Sequence, residues 1–282
     1  MELLTQRRCI IGEGPVWNEF DKKLYFTNSL GNEICAYSLD NKEFTVMPQK
    51  ENIAAMAFGK DGRMLVSRRD GVFYLDSRGV ATPLYDTEKF QMLYGNDAKV
   101  GPDGRFYVGT QSRKRLGISD AVDGKLYSID KDGAVKCLLD GLLLSNGMDW
   151  SLDETKFYHT DSDTKIIKEY DFDKDTGEIA FTGRQVFVPG VDGFAVNQEN
   201  QLLVACWGKG HIAVVDTGEM AVVAHVDLPA NVPASCGFAG ENMDILAITT
   251  ASYKRDLALD KNAGFTILKN MKTGGRKPYL FG

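Results

Sequence analysis

The chain has 282 residues, with 33 Lys and Arg against 39 Asp and Glu and a net charge of -6. That balance argues against a nucleic-acid partner, which selects basic faces, and no run approaches the ~20 apolar residues of a membrane span. The five cysteines (Cys9, Cys35, Cys137, Cys206, Cys236) are scattered, odd in number and without CxxC spacing, as expected of small buried residues in a reducing compartment.

In chain order, the opening MELLTQRRCII lacks the apolar core and cleavage site of a signal peptide, so a soluble cytoplasmic protein is expected. Residues 3–11 alternate apolar and polar side chains. From Trp17 onward one grammar repeats: an anchor, a polar turn, then an apolar strand running back. It appears at Trp17 (WNEFDKKLYFTN), Phe58 (FGKDGRMLVS), Val100 (VGPDGRFYVGT), Trp150 (WSLDETKFYHTD), Val196 (VNQENQLLVAC) and Phe238 (FAGENMDILAIT). The anchors are 41, 42, 50, 46 and 42 residues apart. A period in the forties with paired strands is the mark of a propeller blade. The spacing therefore predicts an all-β, six-bladed β-propeller forming one domain over residues 1–282, with blades starting near Glu13, Ala54, Asn96, Asn146, Asp192 and Ala234.

Outer strands are expected at 33–39 and 43–47 in blade one, joined by the turn pair Asp40-Asn41. Blade two should carry them at 71–76 and 80–85, and the last blade at 264–269 and 279–281. An open sheet edge is a liability, so the N-terminal strand is expected to pair with the last blade and close the ring. The long spacing follows Thr110, where residues 111–124 form an extra loop. Strand direction puts every loop after a second strand at the end where the first strands begin. Those loops supply Asn28, Arg68, Arg69, the 111–124 segment, Asp161, Trp207 and Tyr253, and recognition usually resides in such loops. The 111–124 loop reads as a lid, with a solvated insertion as the alternative for its tip.

Four residues before each anchor stand Glu13, Ala54, Asn96, Asn146, Asp192 and Ala234. In a propeller these equivalent positions would surround one channel. Four carry a side-chain oxygen and two only a methyl. Converging oxygens with two carboxylates among them suit a hard cation. The alternative, that Asn and Gly merely start strands after turns, does not explain Glu and Asp at one repeat phase. Other motifs carry less. Residues 171–177 resemble a calcium loop but lack Gly at position six and Glu at twelve, so they are expected to be a hairpin turn. No GxSxG elbow is present. His159, His211 and His225 share no HExxH-like spacing and are expected to be structural.

At Gly12-Glu13-Gly14-Pro15-Val16-Trp17, Asn96-Asp97, Ser145-Asn146-Gly147-Met148-Asp149-Trp150-Ser151 and Asp192-Gly193, the chain resembles the SMP-30/gluconolactonase/luciferin-regenerating-enzyme (regucalcin-like) family. The likeness covers almost the whole chain, down to Ala263-Gly264. It implies a six-bladed propeller with one divalent metal bound by Glu13, Asn146 and Asp192, and Asn96 facing the substrate or completing the shell. It also implies hydrolysis of a lactone, often a sugar lactone, with Asp192 as the candidate base toward water. All-oxygen ligands favour Ca²⁺, with Zn²⁺, Mg²⁺ or Mn²⁺ as alternatives.

Two departures bear on the substrate. Tyr94 stands where the family often has an Arg that contacts sugar hydroxyls. Lys114, flanked by Arg113 and Arg115, stands where sugar-lactonase members have an acidic lid residue. With Trp207, these residues are expected to meet a small-molecule lactone, sugar-like or carrying an acidic group such as a carboxylate or phosphate. The alternatives are a calcium-binding regulatory protein without turnover, an organophosphate-type hydrolase and a protein-docking platform. The channel carboxylates count against the last.

Overall fold

The computed structural model describes residues 1–76 and 78–282. It contains six four-stranded antiparallel sheets, the blades of a β-propeller. Their first strands are Gly12–Asn18, Ile53–Phe58, Gly95–Val100, Ser145–Trp150, Val191–Val196 and Pro233–Ala239. All six anchors are buried, and each is the last or last-but-one residue of its first strand. The hydrophobic term thus fixes the far end of every first strand, where Trp150 loses all its accessible surface.

The turn after each anchor has its own fixed element. Every turn has a left-handed residue shortly before the returning strand: Lys22, Gly62, Gly104, Glu154, Asn200 and Met243, with φ between 50° and 80° in each (56°, 78°, 74°, 61°, 58° and 54°). Only two of these are glycine, so the tight reversal is imposed by the strands on either side. An acidic residue braces several turns. Asp61 Oδ1 accepts from the Arg63 amide at 3.0 Å and Asp103 Oδ1 from the Arg105 amide at 3.1 Å, the short side chains bonding their own backbone two residues on.

The chain forms two compact units, residues 1–53 with 186–278 and residues 54–185 with 279–282. The first holds blades one, five and six; its core joins Trp17, Leu24, Phe26, Ile212, Phe238 and Ile248. In the second, Tyr107, Trp150, Phe157 and Phe172 form an aromatic cluster, Tyr107 meeting Trp150 edge-on at 4.8 Å.

The N-terminal strand, Glu2–Leu4, pairs antiparallel with Thr266–Asn270 (Glu2↔Leu268, Leu3↔Ile267, Leu4↔Thr266) and completes the last blade, as expected. One strand assignment is corrected. Residues 279–281 are not in the last blade, whose fourth position Glu2–Leu4 already fills. Phe281 instead makes a parallel bridge to Gly59, and its amide donates to Phe58 O at 3.0 Å. The hairpin turn expected within 171–177 is formed by residues 174–177: Ile166–Asp173 and Glu178–Phe187 flank it, and the Asp173 carboxylate accepts from the Asp175 and Thr176 amides. Among the described residues no helix is long and apolar enough to cross a membrane.

Candidate functional site

The four oxygen-bearing residues and their two alanine counterparts occupy one structural position. Glu13, Ala54, Asn96, Asn146, Asp192 and Ala234 are each the second residue of a first strand. In the five blades whose first ladder is described, the register shifts beside that position: between Glu13 and Val16, Gly95 and Ala98, Asn146 and Met148, Val191 and Phe194, Pro233 and Ser235. Such bulges re-aim side chains and cluster next to active sites.

In the first unit Asp192 is buried and Glu13 half-buried. Gly193 explains itself by space, because a Cβ there would drive into Ser235 of the neighbouring blade. The Asp192-Gly193 pair therefore couples a carboxylate to a close approach of two first strands. Cys206 lies across the ladder from Val191. Burial, with the Asp192 charge adding, pushes its thiol up to about 11. Trp207 is half-buried, and its amide donates to Gly190 O at 2.7 Å.

In the second unit the two asparagines meet. Asn96 Nδ2 donates to Ser145 O at 3.0 Å and lies 3.4 Å from Asn146 Oδ1. Gln111 Nε2 donates to Asn96 Oδ1 at 3.2 Å. One step further along the same strands, Lys99 Nζ donates to Asp149 Oδ2 at 3.0 Å. Asp97 keeps some accessible surface, yet its carboxyl lies deep among protein atoms; burial pushes its pKa up, Lys99 opposing and Asp149 adding. His159 is held by Ser145, with Oγ and Nε2 2.8 Å apart.

Tyr94 has a left-handed backbone (φ 61°), a strained state for a bulky residue, and Arg69 lies 5.2 Å from its ring centre. The loop that follows is tied both within itself and to the segment Ser162–Thr164. Arg113 pairs with Asp123 at 2.6 Å, Arg115 with Asp163 at 3.1 Å, and the Lys114 amide donates to Ala121 O at 3.0 Å. Lys114 itself is exposed, and its ammonium has no carboxylate partner among the described residues. Asn28 is taken by structure: it donates to Glu33 at 2.7 Å and accepts from the Ile10 amide at 2.8 Å.

Among the described residues no three His, Cys, Asp or Glu side chains group to hold a metal. The expected set differs in kind, being two carboxylates and one amide. It fits a hard divalent ion by its oxygen chemistry and by the equivalent, bulge-flanked position of its three members. A cavity of about 420 Å³ in the second unit lies elsewhere, among the turn residues Lys60, Pro102, Asp103, Arg105 and Lys174.

The family model for the SMP-30/gluconolactonase/LRE-like region matches residues 11–252. The chain belongs to this family. Regucalcin of Danio rerio is 30% identical over 294 residues, covering 100% of this chain and 98% of its own. The putative sugar lactone lactonase YvrE of Bacillus subtilis is 26% identical over 291 residues, covering 99% and 97%. Among solved structures, a calcium-binding protein, regucalcin, from Agrobacterium tumefaciens superposes with a TM-score of 0.87 at 24% identity, covering 99% of this chain and 96% of its own. A gluconolactonase from Xanthomonas campestris gives 0.73 at 19%, covering 93% and 87%. These two show the shared fold.

Within this family member, Asn96 and Asn146 are brought together, while Arg113 is committed to Asp123 inside its own loop. Gln111 and the Asp97–Lys99–Asp149 group escaped the reading of the repeat. Gln111 opens the long loop, which could have flagged it. The charged group is visible only once two first strands stand side by side.

Proposed function

We propose that this protein is a metal-dependent hydrolase that opens the ester bond of a lactone. Glu13, Asn146 and Asp192 hold one divalent ion, with Ca²⁺ favoured by the all-oxygen donors. What supports the reading is a single observation: the four oxygen-bearing residues share one strand position beside a bulge. Membership of a family whose description includes gluconolactonase, and likeness to a putative sugar lactone lactonase, support a lactone as the substrate.

The bound ion would supply Lewis-acid polarisation of the ester carbonyl and of the attacking water. Asp192 takes a proton as the water oxygen bonds to the carbonyl carbon. The ring C–O bond breaks, the leaving oxygen takes up a proton, and a hydroxy acid results. Asn96 faces the substrate beside Asn146, its amide oriented by Gln111 and Ser145. Lys114 and Tyr94, with Trp207, shape the substrate end. The free ammonium of Lys114 favours a lactone carrying a carboxylate or phosphate.

The test is a panel of neutral and acidic lactones, assayed after chelation and after adding back Ca²⁺, Zn²⁺, Mg²⁺ or Mn²⁺. Turnover that returns with a metal, and falls on acidic lactones alone in Lys114→Ala, is the expected result. Equal kcat/KM on both classes, unchanged in that variant, removes the acidic-substrate proposal. Protein that binds metal but opens no lactone with any ion removes the hydrolase. That outcome would favour calcium binding without turnover; the Agrobacterium regucalcin is a calcium-binding protein.

A further inference from the structure

Blade five carries a second cluster of metal-binding chemistry, on its outer strands. His211–Asp216 and Ala221–Asp227 pair with Ala213 opposite His225 and His211 opposite Asp227. Residues two apart on a strand face the same way, so both imidazoles and the Asp227 carboxylate share one face of the sheet. The rings touch: their centres are 4.4 Å apart at an interplanar angle of 64°. His211 is half-buried and His225 exposed, so water reaches the pair.

That spacing matches a shared ion. A metal–imidazole bond is ~2.0–2.1 Å, which puts the metal about 3.2 Å from each ring centre. Two rings at a right angle about one ion therefore have centres about 4.5 Å apart. His211 is also prepared for it. Burial, with His225 next in weight, lowers its pKa and so favours the neutral, ligating form. The Lys209 carbonyl interacts with the His211 ring, and a carbonyl on one ring nitrogen is the usual way a ligating imidazole is oriented.

We propose that His211 and His225 form a surface site for a late first-row divalent ion such as Cu²⁺ or Ni²⁺, cross-linking the two outer strands of blade five. Two imidazoles are the protein ligands, and water completes the shell. Imidazole selects these ions over Ca²⁺ and Mg²⁺, which take oxygen. The site is thus distinct in chemistry from the one that Glu13, Asn146 and Asp192 would form. It also goes beyond the structural role that the sequence suggested for both histidines.

The full chain is titrated with Cu²⁺ and read by pulsed EPR, which resolves imidazole nitrogen on copper. The protein has three histidines. His159, buried and held by Ser145, provides the control. The expected result is one copper with two imidazoles, unaffected by excess Ca²⁺ and retained in His159→Gln and in Asp192→Asn. His211→Gln and His225→Gln should each weaken binding at least about tenfold through loss of the chelate, with the metal-free melting temperature unchanged. Absence of imidazole coordination overturns the proposal. So does wild-type affinity in either single variant, or loss of the signal in Asp192→Asn.

Discussion

Acid should destabilise this protein through one buried ring. His159 is 3% accessible, stacked against Phe157 and hydrogen-bonded to Ser145. Burial, with Lys168 adding, pushes its pKa down to about 3, whereas an unfolded histidine titrates near ~6.5. Between those values the unfolded chain binds the proton and the folded chain does not. Stability is therefore intact above pH ~6.5 and falls as the pH drops. Each unit costs about 1.4 kcal/mol, giving about 2 kcal/mol at a pH near 5. Urea unfolding of wild type and His159→Gln, at neutral pH and again near pH 5, isolates the effect. His211 and the depressed carboxylates Asp61, Asp153 and Asp173 act in the same direction, but they cancel in the difference. The gap between the two proteins should shrink by about 2 kcal/mol on acidification. An unchanged gap would refute the assignment of a neutral, buried ring.

Other outcomes follow from the same structure. Lys99→Met removes the ammonium that faces buried Asp149 at 3.0 Å, and should cost about 2–3 kcal/mol in chemical denaturation; adding Asp149→Asn should restore part of it. Leu4→Ala, at a position 1% accessible in the strand that completes the last blade, should cost about 2–4 kcal/mol, and a loss below about 0.5 kcal/mol would make that pairing dispensable. Glu13→Gln, Asn146→Ala and Asp192→Asn should each weaken calorimetric metal binding by about a hundredfold and abolish the metal-induced rise in melting temperature.

Much of the fold is legible in the chain because each blade repeats a local rule. An apolar anchor, a polar reversal and a returning strand suffice to mark Trp17 through Phe238, and counting back four residues finds the second position of every first strand. What the sequence hides is pairing between distant segments. Residues 279–281 have the apolar pattern of a strand, but nothing local says that Phe281 will join Gly59 rather than the last blade. Lys99 and Asp149 look like ordinary surface charges until Gly95–Val100 and Ser145–Trp150 lie side by side. The loop at 111–124 is visible as an insertion, yet only the structure reveals that Asp123 occupies Arg113 and leaves Lys114 open.

The pairing of Glu2–Leu4 with Thr266–Asn270 has a consequence for biosynthesis. A ribosome delivers Leu4 some 260 residues ahead of its partners, so this segment must wait, unmatched, while the intervening blades are made. Completion of that sheet is thereby tied to the arrival of Thr266–Asn270, and a chain cut short before Thr266 leaves Glu2–Leu4 without its partner.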